Sequence, residues 1–187
     1  MGSLVQWSDH LLTLAEWDAL PEVGTHHVEL VEGVLCAVPL PAPAHRAAVE
    51  RLGDRLGAQL PGGVVVVPAR QVELDPVHPA TVRVPDLVVV AAERAAAGPA
   101  RLDVADVLVA IEVVAPGTGR LDRIVKPVEY AEAGIPHYWL LELDDPVALT
   151  AFTLADGFYD YVAGGTGKIE VRSPFPLALD LPALLTR

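Results

Sequence analysis

Two acidic residues and one lysine stand where their side chains could perform chemistry together. Asp86 and Glu112 lie at the ends of apolar runs, and Lys126 follows at the start of a stretch with helical spacing. A carboxylate is costly to bury in an apolar strand unless something pairs with it, and a divalent cation is one such partner. The three residues therefore predict a metal-dependent phosphodiesterase site.

The chemistry of phosphodiester hydrolysis suggests a role for each residue. Mg²⁺ or Mn²⁺ can activate a water, neutralise phosphoryl charge and assist the leaving oxygen, held by one or two carboxylates and waters. Asp86 and Glu112 could converge as ligands if their strands are neighbours, and the carbonyl of Val113 is a third candidate ligand. Lys126 would stabilise the transition state or orient the water. Asp122, four residues earlier on the same helical face, could hold Lys126 by an ion pair.

Size and composition limit the class of protein. A chain of 187 residues that is 52% hydrophobic can bury one sizeable core, so we expect a single domain over residues 1–187. The absence of a signal-peptide pattern and of a long apolar run predicts a soluble, cytoplasmic protein. A lone cysteine, Cys36, excludes an internal disulfide and a cysteine-based zinc site.

The charge balance restricts how nucleic acid could bind. Thirteen basic and twenty-five acidic residues give a formal net charge of −12, whereas proteins that bind duplexes without specificity carry a basic footprint. Any such binding must be local. Arg51 and Arg55 are candidates on a helical pattern, as are Arg120 and Arg123 beside Lys126. For Arg51 and Arg55, solvated surface charge is an equally good interpretation.

The hydrophobic pattern predicts a mixed sheet flanked by a few helices, in the α/β or α+β class. Thr13 and Glu16 have the spacing of a capping box. A helix is predicted over 122–133, with Ile124, Val128 and Ala131 on one face and Gly134 as its stop. The other predicted elements are a β-hairpin (27–38), a helix (44–60), strands (64–67, 70–74, 86–90, 107–113 and 138–143), a surface loop or short helix (91–105) and a C-terminal antiparallel meander (147–154, 158–163 and 168–171).

Several of these residues also carry a family resemblance. Pro85-Asp86, Ile111-Glu112-Val113 and above all the run 122–139, DRIVKPVEYAEAGIPHYW, resemble the Uma-two family of bacterial endonucleases, a branch of the PD-(D/E)XK nuclease superfamily. The resemblance extends along nearly the whole chain. It implies a restriction-endonuclease-like fold, DNA as substrate, Mg²⁺ or Mn²⁺ as cofactor, and a homodimer, since related nucleases often pair their sites to cut both strands.

The resemblance also implies roles for individual residues. Asp86 and Glu112 would be metal ligands, Lys126 the catalytic lysine and Glu29 an accessory acid. His45 is similar to the histidine that opens the family's first long helix. Two departures stand out in the sequence. The superfamily's usual lysine position, two residues after the glutamate, is Val114 here, and the family's Ser-Pro-Ser-Thr is replaced by residues 115–118, APGT.

Structural alternatives exist for each residue taken singly. Asp86 could simply begin a strand, Glu112 could face solvent from an edge strand, and Lys126 could be a solvated helix residue. Glu29 could lie on a solvent face, and His45 could either start a helix or contact phosphate. For Tyr130, an accessory candidate, and for Trp139, the apolar neighbours favour core packing over base stacking.

Other chemistries fail on specific residues. The run 164–168, GGTGK, hints at a phosphate-binding loop, but it lacks the earlier glycine and the Ser/Thr after the lysine, and we expect a hairpin turn instead. No serine lies in a Gly-x-Ser-x-Gly motif. The sequence thus predicts a divalent-metal-dependent endonuclease acting on DNA. The alternative is a catalytically inactive module that keeps the nuclease fold and binds nucleic acid or a protein partner.

Overall fold

The computed structural model describes residues 9–20, 27–38, 41–114 and 118–185, without the side chains of His27 and Val38. It has four α-helices in these ranges: α1 (Leu14–Asp18), α2 (Pro43–Gly57), α3 (Ala92–Ala97) and α4 (Lys126–Ala133). None of the helices in these ranges is long and apolar enough to cross a membrane. At α1 the predicted capping box is present, because the Thr13 hydroxyl and the Glu16 carboxylate each receive a backbone N–H of the first turn.

Thirteen strands accompany the helices in the described part of the chain. In chain order they are β1 (His27–Val31), β2 (Val34–Val38), β3 (Val64–Pro68), β4 (Val72–Asp75), β5 (Thr81–Arg83), β6 (Leu87–Ala91), β7 (Leu102–Asp103), β8 (Val107–Val114), β9 (His137–Glu142), β10 (Ala148–Ala155), β11 (Phe158–Thr166), β12 (Lys168–Val171) and β13 (Leu177–Asp180).

A six-stranded mixed sheet is the centre of the fold, in the order β11-β10-β9-β8-β6-β3. Only β8 and β9 pair in parallel, and the other pairs are antiparallel. Helix α2 packs with Leu52 and Leu56 on one face, among Ile111 and Trp139. Helix α4 covers the other face, where Tyr130 contacts the cluster of β6, β8 and β9. The predicted α+β class with a mixed sheet is confirmed.

The second sheet has the order β2-β1-β5-β4-β7 and begins with the predicted hairpin over 27–38. Strands β5 and β7 are absent from the sequence prediction, because runs of three and two residues are too short to show alternation. Strand β5 carries Arg83 and leads directly to Asp86. The segment 91–105, predicted as a surface loop or a short helix, contains the helix α3, but it also contains β7, whose Leu102 is buried.

The predicted C-terminal meander of three strands is correct for its first two strands and wrong for the third. β9, β10 and β11 form an antiparallel meander. β12 does not extend this meander, because it pairs with the unpredicted strand β13 as a separate ribbon. The run 164–166 belongs to β11, so only Gly167 separates β11 from β12 and the predicted four-residue turn is shorter.

Helix α4 is the region where the hydrophobic pattern misleads. A π-helical turn, Leu121–Val125, precedes it, and Pro127 lies at the start of the regular helix, where a missing N–H is tolerated. Gly134, with φ of 90°, ends the helix as predicted. Of the three residues predicted to share an apolar face, however, only Ala131 is buried, and Ile124 and Val128 are 58% and 54% exposed. The buried face carries Asp122, Lys126, Tyr130 and Ala131.

Candidate active site

The pairing of β6 with β8 brings the two predicted acids together. Leu87 lies opposite Ile111 in this antiparallel pair, so Asp86, one residue before, falls beside Glu112 at the end of the strands. β8 is an inner strand of the sheet, and Glu112 is only 2% exposed. The alternative in which Glu112 faces solvent from an edge strand is therefore wrong.

Asp86 is braced by the neighbouring strand and by helix α2. Its Oδ2 accepts the backbone N–H of Val113 at 2.8 Å and lies 3.3 Å from Nε2 of His45. The same Nε2 donates to the carbonyl oxygen of Val113 at 2.8 Å. A quarter of the Asp86 side chain stays exposed, whereas His45 is buried. His45 thus contacts two of the three groups predicted as ligands, the Asp86 carboxylate and the Val113 carbonyl. Of these residues, Asp86 is the one whose side chain is partly exposed to solvent.

The surroundings of His45 favour the protonated, positively charged form of its imidazole. Burial alone lowers the pKa of an imidazole, but the contacts with Asp86 and the Val113 carbonyl outweigh it, so the pKa of His45 is raised. Its Nδ1 has no hydrogen-bond partner within the described ranges. His45 lies in the first turn of α2, in agreement with its interpretation as a helix-start residue. Its ring also contacts the site residue Asp86.

Glu112 is held by two donors from α4. Its Oε1 accepts from Nζ of Lys126 at 2.8 Å and from the hydroxyl of Tyr130 at 2.7 Å. Burial raises the pKa of Glu112 to about 8, with the charges of Asp86 and Asp122 adding to the rise and Lys126 opposing it. Tyr130 is fully buried as the core-packing interpretation predicted, and it also binds a site residue.

Lys126 lies among three carboxylates. Besides Glu112, its Nζ lies 3.5 Å from Oδ1 of Asp122 and 3.6 Å from Oε1 of Glu29. Burial lowers the pKa of a lysine, but these charges more than compensate, so the pKa of Lys126 is raised and the ammonium stays protonated. Lys126 is 4% exposed, and Glu29 is buried as well, which excludes the solvated alternatives for both. The predicted pairing of Asp122 with Lys126 is present.

In the π-helical turn before α4, hydrogen bonds hold both the side chain and the backbone carbonyl of Asp122. The hydroxyl of Thr118 donates to Oδ2 of Asp122, and the hydroxyl of Tyr138 donates to the Asp122 carbonyl at 2.6 Å. Burial raises the pKa of Asp122. The wider π turn lets Asp122 and Lys126 both face inward ahead of Pro127.

Sequence reasoning missed two residues of this cluster, Arg83 and Glu129. The Arg83 guanidinium donates through Nη1 to Glu29 at 2.7 Å and through Nε and Nη2 to both oxygens of Glu129, each at 2.7 Å. A signal existed for Glu129, because it lies three residues after Lys126 on the helix. Arg83 lies on a three-residue strand before a proline and gave no periodic signal.

The donor set fits a hard divalent cation. Two cations, Arg83 and Lys126, face four carboxylates, namely Glu29, Glu112, Asp122 and Glu129. A fifth carboxylate, Asp86, lies near enough to act on the charge of Glu112. Carboxylate and carbonyl oxygens are the ligands that Mg²⁺ and Mn²⁺ prefer. Over the residues that the structure describes, no group of three or more His, Cys, Asp or Glu side chains is arranged to hold a metal ion, so Asp86 and Glu112 would need water and substrate to complete the coordination.

The remaining predicted residues lie around the site or outside the described chain. Arg123 pairs with Glu142 at the end of β9. Arg51 donates to the Leu184 carbonyl, which is a structural contact, and Arg55 is exposed. Trp139 is buried in the core on the α2 face, as predicted. Residues 115–117, where the family hydroxyls are replaced, lie outside the described ranges.

Comparisons with known proteins identify the family and the fold. The family model described as "Uma2: Putative restriction endonuclease" matches residues 14–183. A similar solved structure is that of a "putative nuclease belonging to DUF820" from Anabaena variabilis, with a TM-score of 0.73 and 18% identity over 94% of this chain and 98% of that one. At this identity the likeness shows the fold alone. The search of curated proteins found no match.

Proposed function

Because this chain belongs to the Uma2 family of putative restriction endonucleases, we propose that it is a Mg²⁺- or Mn²⁺-dependent endonuclease that hydrolyses phosphodiester bonds in DNA. The observation that carries the proposal is the buried pair of Glu112 and Lys126, 2.8 Å apart, beside the partly exposed carboxylate of Asp86. A carboxylate with a raised pKa beside a charged lysine, at the end of a central strand, is typical of a functional site.

Asp86 and Glu112 would hold the cation, with the Val113 carbonyl as a third candidate. The hydrogen bonds described above fall on Oδ2 of Asp86 and Oε1 of Glu112. A carbonyl oxygen has two lone pairs, so the contact from His45 leaves Val113 able to accept a second partner. A bound Mg²⁺ or Mn²⁺ would supply an activated water and neutralise charge on the phosphoryl oxygens.

The protein's own groups would do the rest. Lys126 has three N–H donors on its ammonium, and one of them is used on Glu112. Another could donate to a phosphoryl oxygen as negative charge develops, an interaction that strengthens in the transition state. Tyr130 and Lys126 fix the orientation of Glu112, while Val113 and His45 fix that of Asp86. Such preorganised side chains need little rearrangement during the reaction.

The direct test is a cleavage assay on single-stranded, duplex and branched DNA with Mn²⁺, Mg²⁺ or EDTA. We expect cleavage with the metals, none with EDTA, and none in Asp86→Asn. Asp156→Asn is the matched control, because Asp156 lies in the exposed β10–β11 turn with φ of 49°, which asparagine tolerates. Cleavage that survives in Asp86→Asn would contradict the proposal.

A catalytically inactive binding module is the second candidate, favoured by the net charge of −12. Calorimetric titration with Mn²⁺ separates the two functions. An active nuclease site should bind the metal in a way that depends on Glu112, whereas a decayed site should show no binding that Glu112→Gln abolishes.

We also propose that the chain acts as a homodimer, since cutting both strands of a duplex needs two sites. Light scattering at the concentration of the cleavage assay should give twice the mass of the chain, 19.8 kDa. A monomer under conditions in which duplex DNA is cut on both strands would contradict this assembly.

A further inference from the structure

Arg83 ties the second sheet to the helix that carries the lysine. It lies on β5 and is 2% exposed. Its planar guanidinium donates hydrogen bonds to two carboxylates from different elements, Glu29 on β1 and Glu129 on α4. Three N–H groups of the fork meet three carboxylate oxygens, each at 2.7 Å. A lysine could not reproduce this geometry, because its ammonium is a point charge.

Glu29 is shared between Arg83 and Lys126. Its Oε2 accepts from Arg83, while its Oε1 accepts the backbone N–H of Val84 at 3.0 Å and lies 3.6 Å from the Lys126 ammonium. Glu112 holds the same ammonium at 2.8 Å. Glu29 and Glu112 therefore compete for one lysine in a buried site, where charges interact strongly.

We propose that Arg83 is a positioning residue for the reaction: it neutralises Glu29 and so keeps the Lys126 ammonium on Glu112. Without the guanidinium, Glu29 has Lys126 as its nearest cation and draws it away from Glu112. The lysine then no longer faces the place where phosphoryl charge develops. This inference rests on the proposed function only for its kinetic readout, because the position of Lys126 can be measured without any substrate.

The chain offers an unusually clean probe of that position. It contains two lysines, Lys126 and Lys168, and the Lys168 side chain is 85% exposed. Isotope labelling of lysine therefore gives two side-chain ammonium signals in an NMR spectrum, and the one that exchanges slowly with water belongs to Lys126. Its chemical shift reports which carboxylate it contacts.

The variants are Arg83→Gln, Glu29→Gln and the double variant, with Arg101→Gln as control. Arg101 also joins two carboxylates, Asp18 and Glu73, and neither of these is among the three carboxylates beside Lys126. We expect Arg83→Gln to shift the Lys126 signal, and the double variant to return it to the value in Glu29→Gln. Arg101→Gln should leave the signal where it is in the original protein.

The kinetic readout follows the same cycle. Arg83→Gln should lower kcat by about 10²-fold in the original background, the typical effect of a misplaced catalytic group. In the Glu29→Gln background the same change should lower kcat by less than about threefold, since no competing carboxylate remains. The Kd for Mn²⁺ should not rise in Arg83→Gln, because Arg83 contacts neither Asp86 nor Glu112 and a Lys126 drawn off Glu112 takes a positive charge away from a metal ligand.

The outcomes are distinct. An unshifted Lys126 signal in Arg83→Gln, or a shift that persists in the double variant, would overturn the inference. If Arg83→Gln does not fold, the inference requires that the double variant does; a double variant that also fails would mean that Arg83 serves its Glu129 contact instead. If the original protein cleaves no DNA, the proposed function fails, and the NMR cycle alone decides the role of Arg83.

Discussion

Helices α2 and α4 lie on opposite faces of the same sheet and bury opposite kinds of side chain. Beyond His45 in its first turn, helix α2 buries Ala48, Leu52 and Leu56 and exposes charged residues, as a hydrophobic pattern of period 3.6 predicts. In the α4 region, Asp122 and Lys126 are buried while Ile124 and Val128 are exposed. One helix follows the rule for stability, and the other reverses it.

The charges buried in the α4 region lower the stability of the fold. Buried charges lose hydration that their partners only partly replace, so an apolar helix face would be the more stable choice. The α4 face keeps Lys126 because Glu112, Asp122 and Glu29 surround it. A local rule broken at such a concentration of charge is expected at a functional site. The two helices can therefore be probed with matched substitutions.

The largest effect should come from removing the lysine of the α4 face. Lys126→Met should lower cleavage by about 10²–10³-fold, because a preorganised donor to the developing charge is lost. Mn²⁺ binding should be retained, since the variant removes a positive charge beside the carboxylates. Lys168→Met, on the exposed side of β12, is the control and should cleave normally. Equal losses in the two variants, in a steady-state cleavage assay, would break the comparison.

The apolar part of the α2 face, beyond His45, should respond through stability alone. Leu52→Ala removes a fully buried side chain and should destabilise the fold by about 2–5 kcal/mol. Urea denaturation measures this loss, and cleavage below the unfolding transition should stay normal. A large loss of kcat in a fully folded Leu52→Ala variant would show that the α2 face also serves the chemistry.

Neutralising Glu112 should weaken the dependence of the free energy of unfolding on pH. Burial raises its pKa to about 8 in the folded state, above its ordinary value of 4.5, so its contribution to stability is full below about pH 4.5 and is lost as the pH rises through 8. Glu112→Gln has no such loss, so its free energy of unfolding should fall less than that of the original protein as the pH rises from about 4.5 to 8. Denaturation in EDTA across this pH range tests it. A destabilised variant with an unchanged pH slope would refute the account of this burial.

The smallest effect should come from the exposed apolar residues of α4 and the π-helical turn before it. Ile124→Ala and Val128→Ala should change stability by less than about 0.5 kcal/mol, because both side chains are more than half exposed. Leu56→Ala on α2 provides the matched contrast, as it is fully buried. Thermal unfolding of the three variants compares them directly. A loss in Ile124→Ala as large as in Leu56→Ala would mean that the two helices do not differ.

The same contrast explains what sequence could predict. Strands β6 and β8, with Asp86 and Glu112 at their ends, follow from long apolar runs bounded by turn residues. The family run 122–139 identified Lys126. Hydrophobic periodicity placed Ile124 and Val128 inward because it treats charge as a surface property, and it has no term for a cluster of paired charges.

Other features depend on contacts that no local pattern contains. Arg83 lies on a strand of three residues, too short for alternation to show. Its role depends on Glu29 and Glu129, which are 54 and 46 residues away in sequence. Likewise β12 has an ordinary strand pattern, but only the folded chain decides that it pairs with β13 and not with β11. Spacing predicts elements well and their long-range partners poorly.

The central claim is that Asp86 and Glu112 together hold a divalent metal beside Lys126. A crystal soaked in Mn²⁺, with anomalous scattering recorded, tests this claim most directly. We predict one strong anomalous peak about 2.0–2.5 Å from a carboxylate oxygen of Asp86 and from one of Glu112, a spacing typical of divalent metals with oxygen ligands. Mn²⁺ bound elsewhere on the protein, with Asp86 and Glu112 still held only by their protein partners, would contradict it.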